Sequence, residues 1–254
     1  MSKDYILKQF KDEDKNLVIN LYEKMKLAQD RDIPMFGSNF YPPNVWKVFE
    51  GFNSNLLKVE SFGGFLDSER RMISFNNLYD IPYPMKILKI TNPSKFRNLT
   101  HKDYLGSIMS LGILRDKIGD LITKENVCYV AISEEISDYI IMSLEKISSV
   151  PCIIEDFLGD TSDISIDFKE EVILVNSLRL DSIVSKITKK SRSFAQELIS
   201  DGRVLKNYNT IRDKSDEISI SDRITVRGYG KFIVHSVPST SKSGKLKVII
   251  KKYT

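Results

Sequence analysis

Between residues 180 and 202 the apolar residues form two helical stripes separated by a basic break, and this pattern constrains the fold more than any other in the chain. Leu180, Ile183, Val184 and Ile187 follow the spacing i, i+3, i+4, i+7, which lines one side of a helix. Arg179, Lys186 and Lys190 fall on another side. Ser191 has the side chain of a helix N-cap. Phe194, Ala195, Leu198 and Ile199 supply the buried face of a second helix, and Gly202 is placed to end it. Short apolar segments at Val204–Lys206, Arg223–Arg227, Lys231–His235 and Leu246–Ile250 read as strands of a small sheet. The segment 227–232, with Gly228 and Gly230, reads as a tight turn that exposes Arg227 and Lys231.

Charge separates this part from the rest. Residues 177–254 hold 17 Lys+Arg against 7 Asp+Glu, a net of +10, whereas residues 1–176 hold 21 against 27, a net of −6. The total of +4 hides an acidic body and a basic tail. Such asymmetry points to a polyanionic partner, most often nucleic acid. Hydrophobic and charged fractions of 41% and 28% are those of an ordinary soluble protein. No apolar stretch approaches the ~18–20 residues that span a bilayer, and no signal-peptide core follows Met1, so no membrane insertion and a cytoplasmic location are expected. Cys128 and Cys152 have neither CxxC nor metal-ligand spacing and read as small buried hydrophobes. With His101 and His235 the only histidines, no metal or other cofactor is expected.

Upstream, Leu17, Val18, Leu21, Met25 and Ala28 recur at helical spacing, and the polar run 11–15 suits a helix start. The segment 32–38 and Tyr41-Pro-Pro-Asn44 read as loop, with a short helix at Val45–Phe49. Asn55–Phe62 and Arg71–Phe75 read as strands. From Pro82 the order changes: strand Met85–Ile90, helix His101–Leu111, strands Asp120–Thr123 and Val127–Ile132, a helix from Ser133 with a stripe running to Ile147, and strand Val150–Phe157. The order β-α-β-β-α-β is that of the ferredoxin-like unit. The expected fold class is α+β: an N-terminal α/β subdomain over 1–80, a central ferredoxin-like (RRM-like) unit over 81–165 and a basic module over 177–254.

Three ordered elements, Leu178-Arg-Leu-Asp181, Lys189-Lys-Ser-Arg-Ser193 and Ile199-Ser-Asp-Gly-Arg-Val204, resemble the alpha-L RNA-binding domain, the fold of small-subunit ribosomal protein S-four. The resemblance runs from about Ser177 to His235. Where that family usually has Val-Asn-Gly, this chain has Lys206-Asn-Tyr-Asn209, without the glycine. Phe62-Gly-Gly-Phe65, Ser68-Glu-Arg-Arg71 and the long segment from Tyr104 to Leu121 are similar to YlmH-type proteins of Gram-positive bacteria. That resemblance covers nearly all of the chain. It implies a cytoplasmic, ribosome-associated RNA-binding protein, linked to rescue of stalled large subunits carrying peptidyl-tRNA and, by gene neighbourhood, to cell division. The implied partners are RNA (23S rRNA and tRNA on the 50S subunit) and ribosome-rescue or division proteins, for a chain expected to be monomeric.

On this reading Arg179, Lys186, Lys189, Lys190 and Arg192 neutralise phosphates, Ser191 and Ser193 cap the helix and donate hydrogen bonds, and Lys206, Arg227 and Lys231 extend the patch along the sheet edge. Gln196, Arg203 and Asn207 complete the candidate RNA-contact set. A-form RNA hides its base edges, so recognition by shape is expected. Displacing ~4–6 counterions would give a log–log salt slope of about −0.7 to −0.9 per phosphate. Reversing the charge of Lys190 and Arg192 together should abolish RNA association and leave the fold intact.

No catalytic group is expected. Arg179-Leu-Asp181 is similar to the Arg-Leu-Asp stretch of pseudouridine synthases, but here Asp181 opens an amphipathic helix, where the dipole and a basic neighbour stabilise it. The rival reading is an RNA-modifying enzyme of that kind, with the basic module delivering RNA to an N-terminal active site. A third is an adaptor whose basic face binds an acidic protein. Arg115, Lys117 and Asp120 read as solvated charges on a loop packed by Ile113, Leu114 and Ile118, with auxiliary RNA or ribosome contact as the alternative, and Glu69, Arg70 and Arg71 as surface pairs or, equally, a functional cluster.

Overall fold

A computed structural model of the chain describes residues 3–10, 15–94, 99–241 and 243–253. The polar run ahead of Lys15 falls on residues 11–14, outside the described residues. The chain divides into two compact units, Met1–Ser165 and Ile166–Thr254.

The first unit opens with α1 (Lys3–Leu7), α2 (Lys15–Arg31), β1 (Met35–Phe36), α3 (Pro43–Glu50), β2 (Val59–Phe62) and β3 (Met72–Phe75). Val18, Leu21, Met25 and Ala28 are the buried residues of α2. Helix α3 begins on Pro43, whose missing N–H costs nothing in a first turn, and buries Trp46 and Phe49. The strands form an antiparallel sheet of order β1-β3-β2. Strand β1 lies in the segment read as loop. It is two residues long, too short for an alternating pattern, and exists because Met35 pairs with Phe75.

The second half of this unit runs β4 (Met85–Thr91), α4 (His101–Met109), β5 (Ile118–Lys124), β6 (Val127–Ser133), α5 (Ser137–Ser143), β7 (Lys146–Ile147), β8 (Val150–Pro151) and β9 (Ile153–Asp156). Its four main strands are antiparallel in the order β5-β6-β4-β9, which is ferredoxin-like topology. Tyr104 and Ile108 of α4 and Ile140 of α5 share a core with Leu88, Ile90 and Val130. Two expectations fail locally. The second helix stops at Ser143, and Ile147 belongs to a β7–β8 hairpin that turns through Ser148 at φ 53°. The last strand is split at Cys152 into β8 and β9. The local cause is Ile147 pairing with Val150 rather than continuing the helical stripe.

Polar ties join the two halves of this unit. Asp120 accepts from the backbone N–H groups of Glu69 and Arg70. Arg70 donates to the Phe40 carbonyl (2.6 Å), and Lys117 to the Ser38 carbonyl (3.2 Å). Arg115 donates to the carbonyls of Ile118 and Gly119, and its burial, then the charge of Arg70, lowers its pKa to about 10. These charges therefore satisfy buried backbone groups rather than standing in water. Arg71 lies 4.4 Å from the centre of the Trp46 ring, and Glu69 is buried, so neither belongs to a loose surface pair. Leu114, read as a packing residue, is 67% exposed.

The second unit contains β10 (Phe168–Val175), α6 (Leu180–Thr188), α7 (Arg192–Ser200), β11 (Val204–Lys206), β12 (Asn209–Thr210), β13 (Arg223–Val226), β14 (Gly230–Thr240) and β15 (Leu246–Tyr253). The sheet order is β10-β15-β14-β13-β11-β12, with every pairing antiparallel. Strand β10 pairs with β15 over eight residues, so this unit starts ahead of Ser177. Leu180, Ile183 and Val184 of α6 and Ala195, Leu198 and Ile199 of α7 join Val226, Val234, Val248 and Ile250 of the sheet in one core. Each such fully buried aliphatic side chain contributes about 1.5–3 kcal/mol relative to exposure, so a charge at Ile183 would undo the helix–sheet packing. Ile187 packs only at the margin of that core.

Candidate nucleic-acid interface

The α6–α7 joint is built by local rules. Lys189 ends α6 in the left-handed region at φ 55°, with its N–H on the Lys186 carbonyl. Lys190 N–H bonds the Ser185 carbonyl (3.2 Å), and the Ser185 hydroxyl returns a bond to the Lys190 carbonyl (2.8 Å). Ser191 is the N-cap of α7 and accepts from the Phe194 N–H (3.2 Å), while its hydroxyl also meets that of Ser193 (2.9 Å). Lys186, Lys189, Lys190, Ser191, Arg192 and Ser193 are all exposed at this joint. The structure thus exposes the cations that the sequence clusters at the joint between the two helices.

Asp181 organises the joint. Its side chain is 0% exposed, yet both oxygens are occupied by groups that reach the surface. Arg192 Nε bonds Oδ2 at 3.0 Å and Nη2 bonds Oδ1 at 3.1 Å. Arg179 contacts the same two oxygens at 3.3 Å each, and Gln196 Nε2 donates to Oδ2 at 2.9 Å. Burial pushes the Asp181 carboxyl up, but the hydrogen bonds of Arg179, Gln196 and Arg192, with the charge of Arg192, outweigh it and hold the group below the usual carboxylate range. One buried anion therefore fixes the orientation of two guanidinium forks whose side chains remain 39% and 55% exposed. The sequence predicts for Asp181 a place at the helix dipole and a basic neighbour. Its link to Arg192 and Gln196 crosses the helical hairpin and leaves no periodic trace.

That geometry corrects one expectation. Arg192→Glu would place a second carboxylate beside buried Asp181 and remove one of its clamps, so the Lys190–Arg192 double reversal is expected to cost stability as well as RNA contact.

The sheet edge is different. Lys206 binds Asp216 (2.8 Å), the Glu217 carbonyl (2.6 Å) and Asp222 (3.7 Å). Burial lowers its pKa, but the hydrogen bond and charge of Asp216, then Asp222, raise it more. Asn207 donates to Asp222 (2.7 Å) and accepts from the Arg223 N–H (2.9 Å). Asn207 and Tyr208 have φ values of 48° and 71° between paired Lys206 and Asn209, the signs of a two-residue hairpin turn. The turn forms without the family's glycine, and Tyr208 carries the positive φ that glycine adopts freely. Lys231 is not exposed as expected: it is half-buried and lies over the rings of Tyr208 (5.2 Å) and Tyr253 (5.0 Å). Arg227 is exposed, and Arg203, also exposed, reaches its carbonyl at 3.4 Å. Of the expected edge contacts, Arg203 and Arg227 present cations to solvent, while Lys206, Asn207 and Lys231 are committed to the fold.

Among the described residues no group of three His, Cys, Asp or Glu side chains could hold a metal ion. Among them, too, no helix is long and apolar enough to cross a membrane. Cys128 is buried, which pushes its thiol pKa up.

Comparisons with known proteins fall on the same segments. Residues 80–158, the ferredoxin-like half of the first unit, match the family described as "Putative RNA-binding domain in YlmH". Residues 178–224, which hold the α6–α7 hairpin, match the S4 domain. The chain is 24% identical over 195 residues to the "Ribosome-associated protein quality control protein P2" of Bacillus subtilis (strain 168), covering 75% of this chain and 76% of that one. A solved structure, "Cell division protein ylmH from Streptococcus pneumoniae", is 25% identical with a TM-score of 0.47, covering 58% of this chain and 93% of the other. Two segments of the chain thus match, in order, the RNA-binding domain described for YlmH and the S4 domain.

Proposed function

We propose that this chain binds structured RNA of the ribosomal large subunit, rRNA together with tRNA, through the α6–α7 face, and acts without catalysis in quality control of stalled translation in the cytoplasm. The observation that carries the reading is the joint itself. Exposed Lys186, Lys189 and Lys190 surround two arginine forks that Asp181 has already oriented. Lysines supply point charges for phosphates, and planar guanidinium groups supply directed donors. Because the forks are held before binding, little of their rotamer entropy is lost on contact with RNA. The name of the Bacillus subtilis relative supports the ribosomal setting.

The same geometry supports a non-enzymatic role for Asp181. A nucleophilic carboxylate must reach its substrate, whereas this one is buried and saturated by Arg179, Arg192 and Gln196.

Sedimentation of tagged protein from lysate through sucrose gradients at low and high salt tests the reading. Salt-sensitive migration with large subunits, with tRNA in the purified particle, is expected. Migration at the top of the gradient in both salts would reject the ribosomal target.

A further inference from the structure

A small concave site lies beside the hairpin joint, entirely within the second unit. It has a volume of about 190 Å³, and its lining includes Asn176, Ser182, Ser185, Lys186, Arg192 and Lys245. Three of these side chains are cationic and come from separate places: Lys186 from α6, Arg192 from the first turn of α7, and Lys245 from the turn between β14 and β15. Among the described residues that line it, none is acidic. Lys245 follows Gly244, at φ 77°, and its position is fixed by two bonds across the turn, Ser241 N–H to its carbonyl (2.7 Å) and its own N–H to the Ser241 hydroxyl (3.1 Å).

Arg192 offers the site a defined edge. Its Nε and one N–H of Nη2 are taken by Asp181, which leaves the two N–H groups of Nη1 and the second of Nη2 as donors. Like charges gathered in a concavity repel one another and raise the local affinity for an anion. The hydroxyls of Ser182 and Ser185 and the amide of Asn176 add neutral hydrogen-bonding groups to the same walls. The small volume suits a single phosphoryl group better than a whole nucleotide.

We propose that this site is a preformed phosphoryl pocket and that Lys245, which lies outside the matched S4 segment, completes it. The proposal deepens the RNA-binding reading and rests on it for the source of the phosphoryl group, an RNA backbone. A free phosphate or small phosphorylated ligand is the other source of the same chemistry, and the test separates the two.

The full chain would be titrated with fluorescein-labelled tRNA across a salt series, as wild type, Lys245→Ala, Lys245→Arg and Lys247→Ala. Lys247 is an exposed cation on β15 outside the pocket and controls for net charge. Lys245→Ala should weaken binding by roughly 5–10-fold and flatten the log–log salt slope by about 1, with Lys245→Arg restoring most of both and Lys247→Ala changing affinity less than about twofold. Equal losses in Lys245→Ala and Lys247→Ala, or none in either, would overturn the pocket. In parallel, 50 mM inorganic phosphate would be compared with chloride at matched ionic strength for its effect on the thermal midpoint. A rise of roughly 1–3 °C in wild type that disappears in Lys245→Ala assigns the pocket to any phosphoryl group. No rise, with the tRNA losses intact, assigns it to backbone phosphate alone. Wild type that binds no tRNA but is stabilised by phosphate through Lys245 keeps the pocket and rejects the RNA reading. No tRNA binding and no phosphate effect rejects both.

Discussion

At the α6–α7 joint and at the β11–β14 sheet edge, the second unit uses similar residues in opposite ways. At the joint, Lys186, Lys189 and Lys190 carry exposed side chains, and the anion present, Asp181, is buried beneath the arginines it orients. At the edge, Lys206 is paired with Asp216 and Asp222, and Lys231 is laid over two tyrosine rings. A carboxylate behind a cation aims it outward, whereas carboxylates and rings beside a cation consume it. The count of basic residues is the same argument in both places. What differs is the geometry of the group each cation faces, and that decides which surface is available to a phosphate.

The comparison is broken most directly at the joint. Lys186→Glu with Lys190→Glu, which spares Asp181, should cost on the order of 100-fold in RNA affinity and leave the circular dichroism spectrum unchanged. Wild-type affinity in that variant would move the interface elsewhere. The next largest effect falls on the organiser. Asp181→Ala raises the net charge by one, which a charge count reads as stronger binding. We expect roughly 10-fold weaker binding because Arg179 and Arg192 lose their fixed orientation, together with a loss of about 1–3 kcal/mol in urea unfolding. Tighter RNA binding by this variant would show that charge alone governs the joint.

The sheet edge provides the smaller, sharpening tests. Lys206→Ala should leave RNA affinity and salt slope within twofold of wild type, while lowering stability by about 1 kcal/mol or less, because the pair is partly solvated. A drop in the salt slope would return Lys206 to the interface. Acid should act last and only on stability. The Asp181 pKa is depressed in the folded protein, so its contribution is present above the unfolded carboxylate value near 4 and is lost as pH falls below it. Denaturation followed from pH 6 to pH 2.5 should show a loss in that window for wild type that is reduced in Asp181→Asn.

The helical hairpin was legible because its signals are local. Apolar spacing placed α6 and α7, Ser191 supplied the cap and Gly202 the stop. The β-α-β-β-α-β order was legible for the same reason, since its longer elements β4, α4, β5 and β6 each show their own period. Strands β1, β7, β8 and β12 were missed or misplaced because two residues carry no period, and each exists through its partner. Candidate contacts divided along the same line. Lys186, Lys189, Lys190 and the Ser191 cap follow from helix position alone. The fates of Lys206 and Lys231 depend on Asp216, Asp222, Tyr208 and Tyr253, which approach only when the strands pair.

The sequence by itself determined the charge division, the hairpin and the exposed lysines at its joint, because composition and short-range periodicity are properties of the chain read in order. Tertiary structure alone decided that Asp181 clamps Arg179, Arg192 and Gln196, that Lys206 and Lys231 are spent on the fold, and that Lys245 meets Lys186 and Arg192 around one concave site. Hydrogen bonds and ion pairs act over only a few ångströms, and residues far apart in the chain come within that reach only once the core has brought helices and sheet together.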